Sequence, residues 1–77
     1  MESRPNSDAV QKQLAVFGKK LQMTRVAKGI TQRKLSEMSG VSTDTIRSVE
    51  RGHRTPKFET VVRLLVALGY KINFELP

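Results

Sequence analysis

The side chains of this chain best suited to chemistry are basic ones, and they fall into two groups along the sequence. The 77 residues carry 14 lysines and arginines against 7 acidic residues, a formal net charge of +7. The first group lies between Asp8 and Glu37, where no acidic residue occurs: Lys12, Lys19, Lys20, Arg25, Lys28, Arg33 and Lys34. The second group follows: Arg47, Arg51, Arg54, Lys57 and Arg63. Since ammonium and guanidinium groups neutralise phosphate oxygens, this distribution favours a polyanion as partner over a merely solvated surface.

The side chains that enzymatic or metal chemistry needs are scarce. The chain has one histidine, His53, and no cysteine, which excludes disulfides and thiolate metal sites. There is also no glycine-rich phosphate loop, and no pair of carboxylates stands at catalytic spacing. A lone histidine in a basic loop is more often an exposed contact residue than a general base. We therefore expect no enzyme, no metal site, no cofactor and no small-molecule ligand.

The length and the hydropathy pattern limit the architecture. Seventy-seven residues make one small domain. No apolar run approaches the roughly 20 residues of a membrane helix, and the first residues lack the apolar segment of a signal peptide. The absence of cysteine fits a reducing compartment. We expect a cytoplasmic protein without a membrane partner, in which the polar residues 1–7 form a disordered arm.

The next part of the sequence is predicted to be a long helix. Ser7 or Asp8 can cap it, and the apolar residues from Val10 to Leu21 follow at steps of three and four, as on one face of a helix. The helix is expected to run to about Lys28 and to end at Gly29. Gly18 lies inside it, at a cost of about 1 kcal/mol relative to alanine, and its role is open between a plain cost and a close packing contact.

Two short helices are predicted next, and they share one capping pattern. Thr31 and Ser42 are hydroxyl residues that can accept a free backbone N–H at a helix start. Each is preceded by an apolar residue and followed, four positions on, by another, which is the spacing of a hydrophobic staple. The second helix is expected over about 32–39 and the third from Ser42 to about Arg51. Gly40 lies in the tight turn between them.

A fourth helix is predicted to be capped by Thr55, with Pro56 at its first position, and to end at Gly69. These four helices make up a domain over residues 8–69. Residues 70–77 then alternate apolar and polar side chains, which predicts a half-buried strand. Its apolar side would hold Tyr70, Ile72, Phe74 and Leu76.

A single strand cannot satisfy its own backbone hydrogen bonds. The simplest solution is pairing with the same strand of a second copy across a two-fold axis, so that residues 70–77 form a dimerisation strand. A fifth short helix, or addition of the strand to the sheet of a different protein, are the alternatives.

The region from Gly29 to Gly52 carries a recognisable motif. Two short helices joined by a glycine-containing turn are typical of a helix-turn-helix. The matching positions are Gly29-Ile30-Thr31-Gln32, Leu35, Gly40-Val41-Ser42, Thr45-Ile46 and Val49-Glu50-Arg51-Gly52. This pattern resembles the lambda-repressor-like (XRE, Cro/repressor) helix-turn-helix family over about residues 17–69. The C-terminal strand makes the chain most similar to HipB-like antitoxins of kinase toxin–antitoxin modules.

The resemblance implies an all-α, four-helix DNA-binding domain whose third helix lies in the major groove. It assigns base reading to Ser42, Thr43, Asp44, Arg47 and Ser48. It assigns phosphate contacts to the start of the second helix and to the region after the third: Thr31, Gln32, Arg33, Arg51, Arg54 and Lys57. Arg25 and Glu50 match a pair that forms a buried salt bridge in the family.

The residue types allow specific contacts. Arg47 can bond the O6 and N7 atoms of a guanine. Asp44 is unusual beside phosphates, and either accepts from a cytosine amino group or favours the positive end of its own helix. Ser36 is a second departure from the family, which usually has alanine there.

Two functions follow from the resemblance. The first is a sequence-specific DNA-binding transcriptional regulator, a repressor that binds a palindromic operator as a homodimer, in bacteria or phage, and that serves as the autoregulating antitoxin of a toxin–antitoxin module. The alternative is a protein-interaction module whose main role is to bind and neutralise a kinase-type toxin, with DNA binding secondary.

Overall fold

A computed structural model describes residues 7–71, which form four α-helices and contain no strand. The helices are α1 (Ser7–Ala27), α2 (Gln32–Ser39), α3 (Thr43–Glu50) and α4 (Phe58–Ala67). The all-helical architecture is as predicted, and the bounds of the first three helices differ from the expected ones by about one residue. The N-terminal arm, apart from Ser7, and the apolar strand residues Ile72, Phe74 and Leu76 lie outside the described residues. Across residues 7–71, no helix is both long and apolar enough to cross a bilayer.

The two predicted hydroxyl caps form. The backbone N–H of Lys34 donates to Thr31 Oγ1 at 3.0 Å, and that of Thr45 donates to Ser42 Oγ at 3.1 Å. Both cap residues have extended backbone, as expected of a residue just outside a helix. Gly40 ends α2 in the left-handed region, with φ of 76°, so that the chain can turn within three residues into α3. The start of both short helices is therefore encoded locally.

The fourth helix begins later than predicted. It starts at Phe58, and Lys57 is its N-cap residue without a side-chain capping bond, so the assignment of Thr55 as cap and Pro56 as first residue is wrong. The proline ring keeps the preceding residue extended, and the chain from His53 to Lys57 remains non-helical. These residues cross from the end of α3 to the start of α4, and the helix begins only after that crossing.

The core is formed by apolar residues from all four helices and from the turn between α2 and α3. The fully or nearly fully buried side chains are Leu21, Leu35, Val41, Ile46, Val49, Leu64 and Leu68. Ile30 packs against this cluster, so both predicted staple pairs, Ile30 with Leu35 and Val41 with Ile46, contribute to one core. Helix α2 packs on α3 and α4, while α1 packs on α3. Helices α1 and α2 thus pack on two sides of α3, and the side of α3 that bears Asp44 and Arg47 is exposed.

The backbone of α1 lies directly on the end of α3. A Cβ atom added at Gly18 would lie 2.2 Å from the carbonyl oxygen of Val49 and 3.0 Å from that of Glu50. One turn earlier in α1, Ala15 meets Gly52, with 3.2 Å between the Ala15 Cα and a Cβ built on that glycine. Of the two roles left open for Gly18, close packing is therefore the one that the structure supports.

Candidate nucleic-acid interface

A buried ion pair connects α1, α2 and α3 near the ends of these helices. Arg25 Nε donates to Glu50 Oε2 at 2.6 Å and Arg25 Nη2 donates to Glu50 Oε1 at 3.0 Å. The Arg25 Nη1 group donates to the carbonyl oxygen of Ile30 at 2.8 Å. The side chains of the arginine and the glutamate are 10% and 1% exposed. The pair holds the last turn of α1 against the last turn of α3, and its charged groups are engaged inside the domain.

Gln32, predicted to contact phosphate, belongs partly to the same network. Its Nε2 donates to Glu50 Oε1 at 3.1 Å, which ties the first residue of α2 to the last residue of α3. The backbone N–H groups of Gln32 and Arg33 belong to the first turn of α2, where a helix has no internal acceptor for them. Because its side-chain amide is bonded to Glu50, Gln32 can bind an anion mainly through its backbone N–H. Arg33 is exposed and lies 3.5 Å from Glu37.

Helix α3 divides its residues between core and surface. Ile46, Val49 and Glu50 are buried, whereas Asp44 and Arg47 are exposed. The Arg47 Nη1 group donates to Asp44 Oδ1 at 3.0 Å across one turn. The remaining predicted base-reading residues differ in their exposure: Ser42 is exposed, and Thr43 and Ser48 are half-buried. The hydroxyl of Ser42 is occupied by the cap and by a 2.9 Å bond to Thr45 Oγ1.

Thr45 contributes to the interface through a contact with Arg54 that the sequence does not predict. Its hydroxyl accepts from Arg54 Nη1 at 3.3 Å, so the loop after α3 is attached to the first turn of α3. The residues are nine positions apart, and only the path of the loop brings them together. A threonine at a helix N3 position gives no signal of such a contact in a single sequence.

A hollow of about 440 Å³ opens between the start of α3 and the start of α4. It is lined by Thr45, Arg54, Thr55, Pro56, Lys57 and Thr60. Arg51, Arg54 and Lys57 are all exposed, and the latter two bring positive charge to this hollow. The structure thus places the two predicted loop cations Arg54 and Lys57 next to the helix that carries Arg47.

An apolar groove of about 260 Å³ lies on a different part of the surface, between α1 and the end of α4. It is lined by Phe17, Lys20, Leu21, Thr24, Leu65, Leu68 and Tyr70. Tyr70 is half exposed, and the ammonium of Lys28 lies 5.8 Å from the centre of its ring. The outer side of α4 adds further exposed apolar area through Phe58 and Val66.

Among residues 7–71, no group of three or more histidine, cysteine or acidic side chains could hold a metal ion. The four-helix architecture, with two capped short helices joined by a glycine turn and an exposed polar side on the second of them, defines a helix-turn-helix protein.

The comparisons agree with this class. The family model described as helix-turn-helix matches residues 21–74. The chain belongs to this family, which is of the lambda-repressor-like (XRE) type. Proteins of this family bind DNA and are not enzymes. A Haemophilus influenzae protein described as an uncharacterized HTH-type transcriptional regulator is 39% identical over 55 residues, or 71% of this chain and 56% of that protein. The chain thus spans about half the length of the curated relative that it matches. No solved structure matches the chain significantly.

Proposed function

We propose that this chain is a sequence-specific DNA-binding transcriptional regulator that represses from a palindromic operator as a homodimer. The observation that carries the proposal is the division of α3: its apolar residues and Glu50 are buried, while Asp44 and Arg47 are turned outward. The relative's description as an HTH-type transcriptional regulator supports the same function. The cytoplasm of a bacterial or phage-infected cell is where such a regulator acts.

The base-reading surface is the exposed side of α3 and the residues that begin it: Ser42, Thr43, Asp44, Arg47 and Ser48. Arg47 is the principal reader, since a guanidinium can donate two parallel bonds to guanine O6 and N7. The hydroxyl residues discriminate less between bases. With α3 in the major groove, its N-terminal turn reaches deepest, and that is the turn bearing Asp44.

Phosphate contacts surround this surface on two sides. On one side lies the start of α2, where Thr31 is the cap and Gln32 and Arg33 provide N–H groups at the positive end of the helix. On the other side lies the region after α3, with Arg51, Arg54 and Lys57. Contacts of this kind position the protein without reading sequence.

The reading role of Arg47 is tested by Arg47→Ala. We expect this variant to lose about 1–3 kcal/mol of affinity on the cognate duplex and to lose discrimination at one base pair per half-site. The measurement is a set of dissociation constants on the cognate duplex and on single base-pair substitutions of it. Lys57→Ala is the matched control, because it should weaken binding to all sequences alike and reduce the salt dependence by about one charge. An Arg47→Ala variant that behaves like Lys57→Ala contradicts the reading role.

The dimer of the proposal pairs residues 70–77 of two copies, with Tyr70, Ile72, Phe74 and Leu76 on the apolar side of the strand. The apolar groove supports this, because Tyr70, the first residue of the proposed strand, lines it. The α3 helices of the two copies in such a dimer would lie about 34 Å apart, and each would bind one half-site of a palindrome.

Removal of all residues after Gly69 tests the dimer. We expect a folded monomer whose affinity for the full operator is close to that of a single half-site, since the second half-site no longer contributes. Sedimentation equilibrium of the shortened chain measures the mass directly. A shortened chain that still sediments as a dimer contradicts the strand-mediated interface.

A role as autoregulating antitoxin, with a kinase-type toxin as partner, extends the proposal. The exposed apolar area on the outer side of α4 favours a protein partner, because Phe58 and Val66 are 68% and 62% exposed. In the alternative function, binding and neutralising that toxin is the main role and DNA binding is secondary. A toxin gene beside the gene of this chain distinguishes the antitoxin from a regulator that acts alone.

A further inference from the structure

Asp44 occupies a position on the proposed DNA surface where a negative charge is repelled by phosphate oxygens. Its side chain is 85% exposed and belongs to the first turn of α3. The helix does not need this carboxylate as a cap, because Ser42 already accepts the backbone N–H of Thr45. Its contact with a described side chain is the 3.0 Å bond that Oδ1 accepts from Arg47. The geometry therefore links Asp44 to the function of Arg47.

That bond leaves Arg47 able to read a base. A guanidinium has five N–H groups in a planar fork, so one bond to Asp44 leaves enough of them for the two acceptors of a guanine. The bond also holds the long side chain over the first turn of α3, on the side that is turned outward. Less conformational freedom is then lost when Arg47 binds. Asp44 in this arrangement is a positioning residue for Arg47.

Among residues 7–71, no side chain bonds the second carboxylate oxygen of Asp44, which can therefore meet the base next to the guanine. In the major groove, cytosine and adenine present amino protons, whereas guanine and thymine present oxygen acceptors. An amino proton can satisfy the free oxygen, while an acceptor oxygen repels it and leaves it unpaired. Residues that penalise wrong partners in this way produce specificity by lowering the affinity for competitors.

We propose that Asp44 and Arg47 read two neighbouring bases as one unit, in which Arg47 bonds a guanine and Asp44 excludes guanine and thymine from the adjacent contacted position. This inference rests on the proposed function, since it requires α3 to lie in the major groove. Asp44 thereby determines specificity by lowering the affinity for guanine and thymine at one position of the half-site.

The experiment first separates this inference from the proposed function. The wild-type protein selects duplexes from a random-sequence library, and a wild type that selects no sequence contradicts the proposed function itself. Where a sequence is selected, the base pair at which Arg47→Ala relaxes preference identifies the guanine. Dissociation constants are then measured for the wild type and for Asp44→Asn on the cognate duplex, on the three substitutions of the adjacent base pair, and on a duplex of random sequence.

We expect the wild type to prefer cytosine or adenine at the adjacent position by about 5- to 150-fold, the range of one good base contact. Asp44→Asn should lose most of this preference and bind the random duplex more tightly. In an Arg47→Ala background, Asp44→Asn should have a smaller effect than in the wild type, because the two residues act together. An Asp44→Asn variant that keeps the wild-type preference at the adjacent position overturns the inference.

Glu59→Gln is the matched control, since Glu59 forms an exposed ion pair with Arg63 at 2.8 Å on α4 and loses the same charge. If both variants raise affinity on every duplex by the same factor, the effect of Asp44 is net charge alone and the inference is wrong. Thermal melting of each variant by circular dichroism accompanies the binding data. Equal melting temperatures with changed base preference are the expected result.

Discussion

Glu50→Ala will destabilise this domain by about 3–5 kcal/mol, the usual cost of leaving one partner of a buried ion pair uncompensated. The Arg25 guanidinium would remain inside, with its side chain 10% exposed and with the Ile30 carbonyl oxygen as its one acceptor among the described residues. Gln32 would lose its bond to the carboxylate as well. Since small domains have about 5–15 kcal/mol of stability in total, the melting temperature should fall by more than about 12 °C.

Two comparisons make the expected result for Glu50→Ala specific. Glu59→Gln removes a carboxylate from an exposed pair, which contributes no more than about 1 kcal/mol, so its melting temperature should stay near that of the wild type. The double variant Arg25→Met/Glu50→Leu replaces the buried pair by apolar side chains and should recover much of the lost stability. If Glu50→Ala melted as Glu59→Gln does, the pair would have no structural role.

This ion pair also shows why the site depends on the whole fold. Glu50 is the last residue of α3, Arg25 belongs to the last turn of α1, and Gln32 begins α2. A variant that breaks the pair should therefore weaken DNA binding without touching the outward side of α3. A loss of affinity in Glu50→Ala that disappears at low temperature, where the domain refolds, would identify the effect as one of stability.

Much of the fold was predictable because its signals are local. Thr31 and Ser42 accept the N–H groups three residues later, as their positions before apolar runs predicted. The staple pairs predicted which side of α2 and α3 is buried, because the apolar residue before each cap packs with the apolar residue five positions later. The start of α4 was not predictable in this way, since the path of the preceding loop, and not the threonine–proline signal, decides it.

The site was predictable in its elements but not in its internal contacts. The exposed position of Arg47 follows from helical periodicity around Ile46 and Val49. The bonds of Arg54 to Thr45 and of Gln32 to Glu50 join residues nine and eighteen positions apart, and they depend on how loop and helices meet in space. Asp44 illustrates the limit: its residue type left two roles open, and the bond to Arg47 shows a third contact.

Gly18→Ala will destabilise the domain by about 3 kcal/mol, although alanine is the better helix former by about 1 kcal/mol. The added methyl group would lie 2.2 Å from the Val49 carbonyl oxygen, a backbone atom that no change of rotamer can move aside. Helix α1 would have to shift away from α3, and both the core contact and the Arg25–Glu50 pair would open. Helix propensity and packing predict opposite signs here, so a single denaturant titration decides between them.

Gly29→Ala is the control that separates this packing effect from the conformational freedom of glycine. Gly29 has φ of 71°, and apart from its two chain neighbours no described residue has an atom within 4 Å of the position that a Cβ would take. Alanine there should cost roughly 1–2 kcal/mol through the left-handed backbone alone. We expect Gly18→Ala to lose more stability than Gly29→Ala and to lose DNA affinity with it. A Gly18→Ala variant as stable as the wild type would mean that α1 does not approach α3 this closely.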